Sequence, residues 1–310
     1  MVCALSSMFR ILYSTVRTPN RTNDNLPFGP EFLSSIRILH APESCTSDAR
    51  FVIMVHTAFF NTERRNLIRR TWAKEYYATM EKDYRVKVVF LLGTAANNDE
   101  EENTLAIHKS VEEEIRENND IAQFDFLDTY KNLTYKHLLG IKWVNDNCPN
   151  ADHLVKVDDD VLANIPRITE ITEEIDIATL GFYCYVVHKP KPIRDPKSKW
   201  YISAEEYNAT TFPRYCLGFS YIIANTWLSK IIEATRKQPF FWVDDAYVTG
   251  ILAEEQQVPR SNFQTRHNPL VLNRAKDLGT SDLGGKGFVL LKFSSDFIAT
   301  WNKVWDRLQK

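Results

Sequence analysis

The chain has 310 residues, 44% of them hydrophobic, with 38 basic side chains against 40 acidic ones. That is enough apolar material for one sizeable core. The near balance of charge excludes a polyelectrolyte field that would draw the protein to nucleic acid or an anionic membrane, so specificity has to reside in a local site.

Residues 1–48, rich in Pro, Asn and Ser, read as a leader or stem ahead of a folded domain over 49–310. The only apolar run there, at 8–13, is broken by Arg10. It falls far short of the about 20 residues that span a bilayer. From Phe51 the pattern becomes regular. A β-branched-rich run at 51–55 predicts a strand, and a charged stretch at 62–82 predicts a helix. The run VKVVFLL at 86–92, closed by Gly93 and Thr94, predicts a buried strand. A Glu-rich helix over 98–118 follows, with Leu105, Ile107, Val111 and Ile115 at near-helical spacing. A strand at 121–127, a helix at 133–145 and a strand at 153–157 repeat the unit. Such alternation predicts a largely parallel sheet with helices on both faces and ligands at the strands' carboxyl ends. Beyond Asp160 the pattern loosens. It predicts a helix at 166–175, an apolar run at 178–187, a Pro/Lys-rich loop at 188–199, a strand at 215–224 and helices at 226–237 and 244–255. A strand at 287–293 and a short terminal helix close the chain.

The five cysteines, Cys3, Cys45, Cys148, Cys184 and Cys216, have no close metal-type spacing, and at most two disulfides can form among them. Three Asn-x-Thr acceptor patterns, beginning at Asn20, Asn132 and Asn208, are compatible with a secretory compartment.

The run Lys156-Val157-Asp158-Asp159-Asp160 is the most informative feature. Runs of acids are ordinarily solvated faces. Here Leu154 and Val155 before them and Val161 and Leu162 after them put the acids at a strand terminus inside an apolar frame. Three consecutive carboxylates repel one another, and a cation is the usual relief. In Asp-x-Asp spacing the first and third side chains share a side, so Asp158 and Asp160 can share a divalent ion. Hard oxygen ligands favour Mn or Mg and suit a diphosphate. A phosphohydrolase of the haloacid dehalogenase type would carry Gly-Thr where Val161 and Leu162 stand.

A second acidic site, Asp244-Asp245, opens a predicted helix. Capping accounts for one carboxylate. Asp245 is the candidate general base for an acceptor hydroxyl, with Asp244 nearer the cap role. The basic run at 64–70 has two readings: an exposed helix face with Ile68 and Trp72 inward, or Arg65 and Arg69 neutralising phosphate or ordering a nucleotide pocket.

Taken in order, several of these motifs form a series. They are Arg65-x-x-Ile68-Arg69-x-Thr71-Trp72, Phe90-Leu91-Leu92-Gly93, Asp125-Phe126-x-Asp128-x-Tyr130-x-Asn132-Leu133-Thr134-x-Lys136 and Lys156-x-Asp158-Asp159-Asp160. Lys199-Trp200-Tyr201, Tyr215-Cys216-x-Gly218-x-x-Tyr221 and Asp245-x-Tyr247-Val248-Thr249-Gly250 continue it. The series resembles the β1,3-galactosyltransferase and β1,3-N-acetylglucosaminyltransferase family over about 51–255. The resemblance implies a GT-A, Rossmann-like α/β fold with a mostly parallel sheet, and a glycosyltransferase catalytic domain over 49–310. It implies transfer of galactose or N-acetylglucosamine from UDP-galactose or UDP-N-acetylglucosamine, with inversion, to a glycoprotein or glycolipid in β1,3 linkage. Mn or Mg would be the cofactor, and the setting a type II membrane protein of the Golgi lumen.

Carried over by position, Asp245 is the base. Asp160 is the main metal ligand, with Asp158 and, from its place beyond the base, His267. Thr57, Arg65, Arg69, Lys156, Asp158, Asp159, Trp200, Tyr201 and Gly218 form the donor-binding set. The family usually has Glu-Asp-Val where this chain has Asp244-Asp245-Ala246, and Ser220 replaces a frequent second Gly. A catalytically silent member that binds glycan or nucleotide is the alternative.

Overall fold

The computed structural model describes residues 29–74, 85–95, 102–273, 277, 283, 285–292 and 296–309. The predicted helix beyond residue 74, the predicted strand beyond 292 and the reading of residues 1–28, Cys3 included, lie outside the described residues.

Eight strands form the main sheet, in the order β1-β4-β3-β2-β5-β8-β7-β9. They are β1 Ile38–His40, β2 Phe51–His56, β3 Val86–Thr94, β4 Ile121–Leu127, β5 His153–Asp158, β7 Phe182–Val187, β8 Tyr215–Ala224 and β9 Arg260–Asn262. Strands β4, β3, β2 and β5 run parallel, as the alternating pattern predicts. β8 then enters antiparallel to β5 and carries β7 antiparallel beside it. Every residue of β2 is buried, because helices cover both faces of a central parallel strand and leave no polar side to alternate with.

Helices α2 Thr62–Arg70, α3 Glu102–Asn118 and α4 Leu133–Asn147 are the crossovers of the parallel half. A side chain at Gly140 would place its Cβ 2.2 Å from Leu91 Cδ1 and 2.4 Å from Met54 Sδ. The missing side chain is what lets α4 lie directly on β2 and β3. A second sheet, β10 Leu270–Leu272, β11 Phe288–Leu291 and β6 Val161–Ala163, grows from the residues just after the acid run. The helices after it are α5 Ile165–Glu174, α6 Ile177–Leu180 and α7 Leu228–Ala234.

One expectation changes. The folded body begins before residue 49: α1 Pro30–Ser35 docks through the Gly29 amide on the Thr235 carbonyl, and β1 pairs with β4. Cys45 is bonded to Cys148. The polar composition of this segment hid a strand that needs only backbone hydrogen bonds at a sheet edge. The expected helix at 244–255 is present over those residues, with a π-helical run, Ala246–Leu252, continued by α8 Ala253–Glu255. Cys184 and Cys216 form the second disulfide, across the β7–β8 pair. Among the described residues no helix is long and apolar enough to cross a membrane.

Candidate active site

Strand β5 delivers Asp158 to the carboxyl edge of the sheet, opposite His56 at the end of β2. The next two residues form a turn, and β6 begins at Val161. The three carboxylates separate in that turn. Asp159 is buried and accepts from Thr57 Oγ1 at 2.7 Å, Asn61 Nδ2 at 2.7 Å and Arg64 Nη1 at 2.8 Å. Asp158, partly exposed, is paired with Lys156, whose Nζ also donates to the Gly218 carbonyl. Asp160 Oδ1 is buried and has no hydrogen-bond partner among the described residues. Burial, then the charges of Asp158 and Asp159, push the Asp160 carboxyl up to about 7. Burial likewise raises Asp158, with Lys156 pulling the other way.

Asp245 lies near this edge. Its Oδ1 accepts from its neighbour's amide, Ala246 N, at 2.7 Å. Its other oxygen faces Gly218, where a Cβ would lie 3.3 Å from Oδ2. Glycine leaves that carboxylate oxygen uncovered. Burial, then the adjacent Asp244, raises the Asp245 carboxyl to about 7. Asp244 Oδ2 points elsewhere and meets His137 Nδ1 at 3.0 Å. Burial works to raise Asp244, and the hydrogen bond from His137, with Lys156 nearby, outweighs it and holds the carboxyl low. The two side chains diverge locally: Asp245 has αR backbone angles and a side chain folded onto its neighbour's amide, while Asp244 reaches α4.

Tyr130 and Trp200 rim the same edge, 50% and 45% exposed, with Trp200 Nε1 donating to the Tyr130 hydroxyl at 2.6 Å. After burial, the charges of Asp244, Asp245 and Asp158 raise the Tyr130 phenol, which puts the aromatic rim within electrostatic reach of both acid clusters. Tyr201 is half-exposed beside Trp200, in a short bridge with Ile193.

Five expected donor or metal residues have protein partners of their own. Arg65 is 0% exposed, bonded to Glu114, to the carbonyls of Ala58 and Phe59 and to Thr62. Arg69 pairs with Glu114 and Asp120. Neither guanidinium lies on an exposed basic face; Arg65 braces the loop after β2, and Arg69 ties α2 to Glu114 and Asp120. Asp159 and Thr57 are bonded to each other, leaving Asp159 committed to protein donors instead of a donor sugar. His267 is neither a surface residue nor free to ligate: Nδ1 meets the Tyr183 hydroxyl at 2.7 Å and Nε2 meets Glu174 at 3.2 Å. Sequence reasoning missed Asn61, Arg64, Tyr130 and His137. For His137 the signal was an imidazole among apolar helix positions, Tyr135, Leu138, Leu139 and Ile141.

Among the described residues no cluster of three or more acidic, histidine or cysteine side chains is placed to hold a metal ion; what the acid turn offers is the unpartnered oxygen of Asp160. An unpartnered buried carboxylate oxygen, two acids raised by burial and mutual repulsion, and hard oxygen donors are what such an ion relieves.

These features define an α/β protein with two carboxylate clusters in electrostatic reach of each other. The chain belongs to the Galactosyltransferase family, whose model matches residues 63–264. It is 30% identical over 247 residues to human lactosylceramide 1,3-N-acetyl-beta-D-glucosaminyltransferase, covering 76% of this chain and 64% of that protein. It is 34% identical over 207 residues to human beta-1,3-galactosyltransferase 5, covering 67% and 63%. With the Xenopus tropicalis lactosylceramide 1,3-N-acetyl-beta-D-glucosaminyltransferase the identity is 34% over 216 residues, covering 68% and 55%. The chain thus spans less than two thirds of these relatives' length. Among solved structures it is similar to galactosyltransferase LgtC in complex with donor and acceptor sugar analogs: TM-score 0.41, 9% identity, 84% of this chain and 96% of that one. That likeness is too slight to bear on function.

Proposed function

We propose that the protein is an inverting hexosyltransferase that moves galactose or N-acetylglucosamine from the UDP-sugar to a glycan hydroxyl in β1,3 linkage. The observation that carries the reading is Asp245: a carboxylate oxygen left open by Gly218, on a group that ionises near neutrality, within electrostatic reach of Asp158. Family membership and the relatives' names support the donor and linkage. Asp158 and Asp160 would hold Mn or Mg. When bound, the ion would supply positive charge against the diphosphate leaving group.

Asp245 takes the proton from the acceptor hydroxyl as that oxygen bonds to the anomeric carbon from the face opposite UDP. The bond from the anomeric carbon to the phosphate oxygen breaks, and its electron pair leaves with UDP. Lys156, tied to Asp158 and the Gly218 carbonyl, keeps the two clusters in register. Trp200, Tyr201 and Tyr130 offer aromatic faces to sugar rings. The setting we infer is the Golgi lumen, with glycoprotein or glycolipid acceptors.

The test incubates the protein with UDP-galactose or UDP-N-acetylglucosamine and a panel of glycan acceptors, with and without Mn. Expected is β-linked product formed only with metal, and lost in Asp160→Ala and Asp245→Ala proteins whose circular dichroism is unchanged. Donor binding without turnover across the panel would instead favour a silent binding member, and full activity of both variants would reject the assignment.

A further inference from the structure

We propose that His137 is a positioning residue for the base: a chain from Tyr221 through His137 to Asp244 fixes the orientation and charge of Asp244 beside Asp245. The proposal rests on the reading of Asp245 as base. His137 lies on α4, 1% exposed, with Nε2 2.9 Å from the Tyr221 hydroxyl and Nδ1 3.0 Å from Asp244 Oδ2. Its ring stacks on Tyr221, with centroids 5.7 Å apart, and meets His56 edge-on at 4.8 Å. A buried imidazole costs free energy unless both nitrogens are satisfied, and here both are, one of them by an acid adjacent in sequence to the base.

The network sets the tautomer. Asp244, held low, only accepts, so Nδ1 carries the hydrogen; Nε2 then accepts from the Tyr221 hydroxyl, whose own proton burial retains. Burial also keeps the ring neutral. The outcome is an ionised Asp244 pinned in place, whose charge stands next to Asp245 and raises its affinity for the acceptor's proton. The other charged or titratable groups facing this pair are Lys156 and Asp158 on β5, His56 on β2, Lys136 on α4, Tyr215 on β8 and Tyr130 on the rim.

The test titrates 13C-carboxyl-labelled protein by NMR, with the Asp245 resonance identified by Asp245→Asn, in wild type and in His137→Phe, His137→Asn and Asp244→Asn. Removing the donor or the charge is expected to lower the Asp245 midpoint by about one pH unit or more. His137→Asn, whose side-chain amide can stand where Nδ1–H stood, is expected to keep the midpoint near that of wild type. In the transfer assay His137→Phe should lose about 10- to 100-fold in kcat with donor KM little changed, and His137→Asn should recover most of that. Asp244→Asn, nearly isosteric, covers the case in which His137→Phe does not fold. An unmoved Asp245 midpoint in Asp244→Asn, or an equal kcat loss in His137→Asn and His137→Phe, would overturn the proposal. Absence of transfer by the wild-type protein would instead overturn the base assignment, and the titration would still decide whether the carboxylates are coupled.

Discussion

Asp245 binds the Ala246 amide with one oxygen and presents the other toward Gly218, and burial beside Asp244 delays its ionisation until about pH 7. A general base works only when deprotonated, so the sign is fixed: kcat/KM should rise about tenfold per pH unit below 7 and level off above it. Asp245→Asn should lower transfer by about 10²- to 10⁴-fold and remove that limb. An acidic limb preserved in this variant would assign it to another group. Asp160 makes a separate prediction that needs no turnover. Its folded-state carboxyl is raised to about 7 from an ordinary 3.8, so the folded protein holds a proton that the unfolded chain releases between those values. Stability contributed by this group therefore falls as pH rises through that window. At pH 7.5 Asp160→Asn should be at least as stable as wild type. Millimolar Mn should raise the Tm of wild type and leave that of Asp160→Asn unmoved, by differential scanning fluorimetry, because only the carboxylate rewards binding to the folded state.

Helices α2 and α3 are joined by an ion network rather than by apolar packing alone. Glu114 on α3 accepts from Arg65 at 2.6 and 2.8 Å and from Arg69 at 2.6 Å, and Arg69 also holds Asp120. Arg65 in turn anchors the carbonyls of Ala58 and Phe59, the loop that carries Thr57 and Asn61 to Asp159. Glu114→Gln would leave a fully buried guanidinium without its countercharge, and we expect a loss of about 3–5 kcal/mol in urea denaturation. Burial raises the Glu114 carboxyl, but the bonds and charges of Arg65 and Arg69 hold it below 4.5. Its contribution is thus present above pH 4.5 and fades as pH falls, and the variant should show a flatter acid limb of stability than wild type. The sequence made both helices legible, by the charged stretch at 62–82 with Ile68 and Trp72 inward and by the spacing of Ile107, Val111 and Ile115. It left the arginines ambiguous, because whether a charged helix face meets water or Glu114 is decided by a partner 45 to 49 residues away.

Across the molecule, legibility follows the range of the interaction that decides each feature. The parallel half of the sheet is written in contiguous apolar runs such as 86–92, and the acid clusters in adjacent residues. The long-range pairings are not: β1 on β4, the His267 contacts with Tyr183 and Glu174, and the His137–Asp244 bond all depend on where remote segments land. The last helix, α9 Phe297–Leu308, is the most distant case, lying beyond residue 264 where the family match ends. Trp301 is fully buried and donates from Nε1 to Thr71 Oγ1 at 3.0 Å, and the ring of Phe297 lies 4.5 Å from the Arg64 guanidinium. Arg64 itself is one of the three donors that hold Asp159 in the acid turn. The terminal helix therefore closes the first βα unit from behind and braces the turn that carries Asp158 and Asp160. Trp301→Ala, which opens a large cavity and removes the indole donor to Thr71, should cost about 3–5 kcal/mol by urea denaturation. Phe297→Ala should cost about 3–5 kcal/mol through the lost burial of the ring and the lost cation–π contact. A Trp301→Ala cost below about 1 kcal/mol would mean that α9 is an appendage and that the acid turn stands without it.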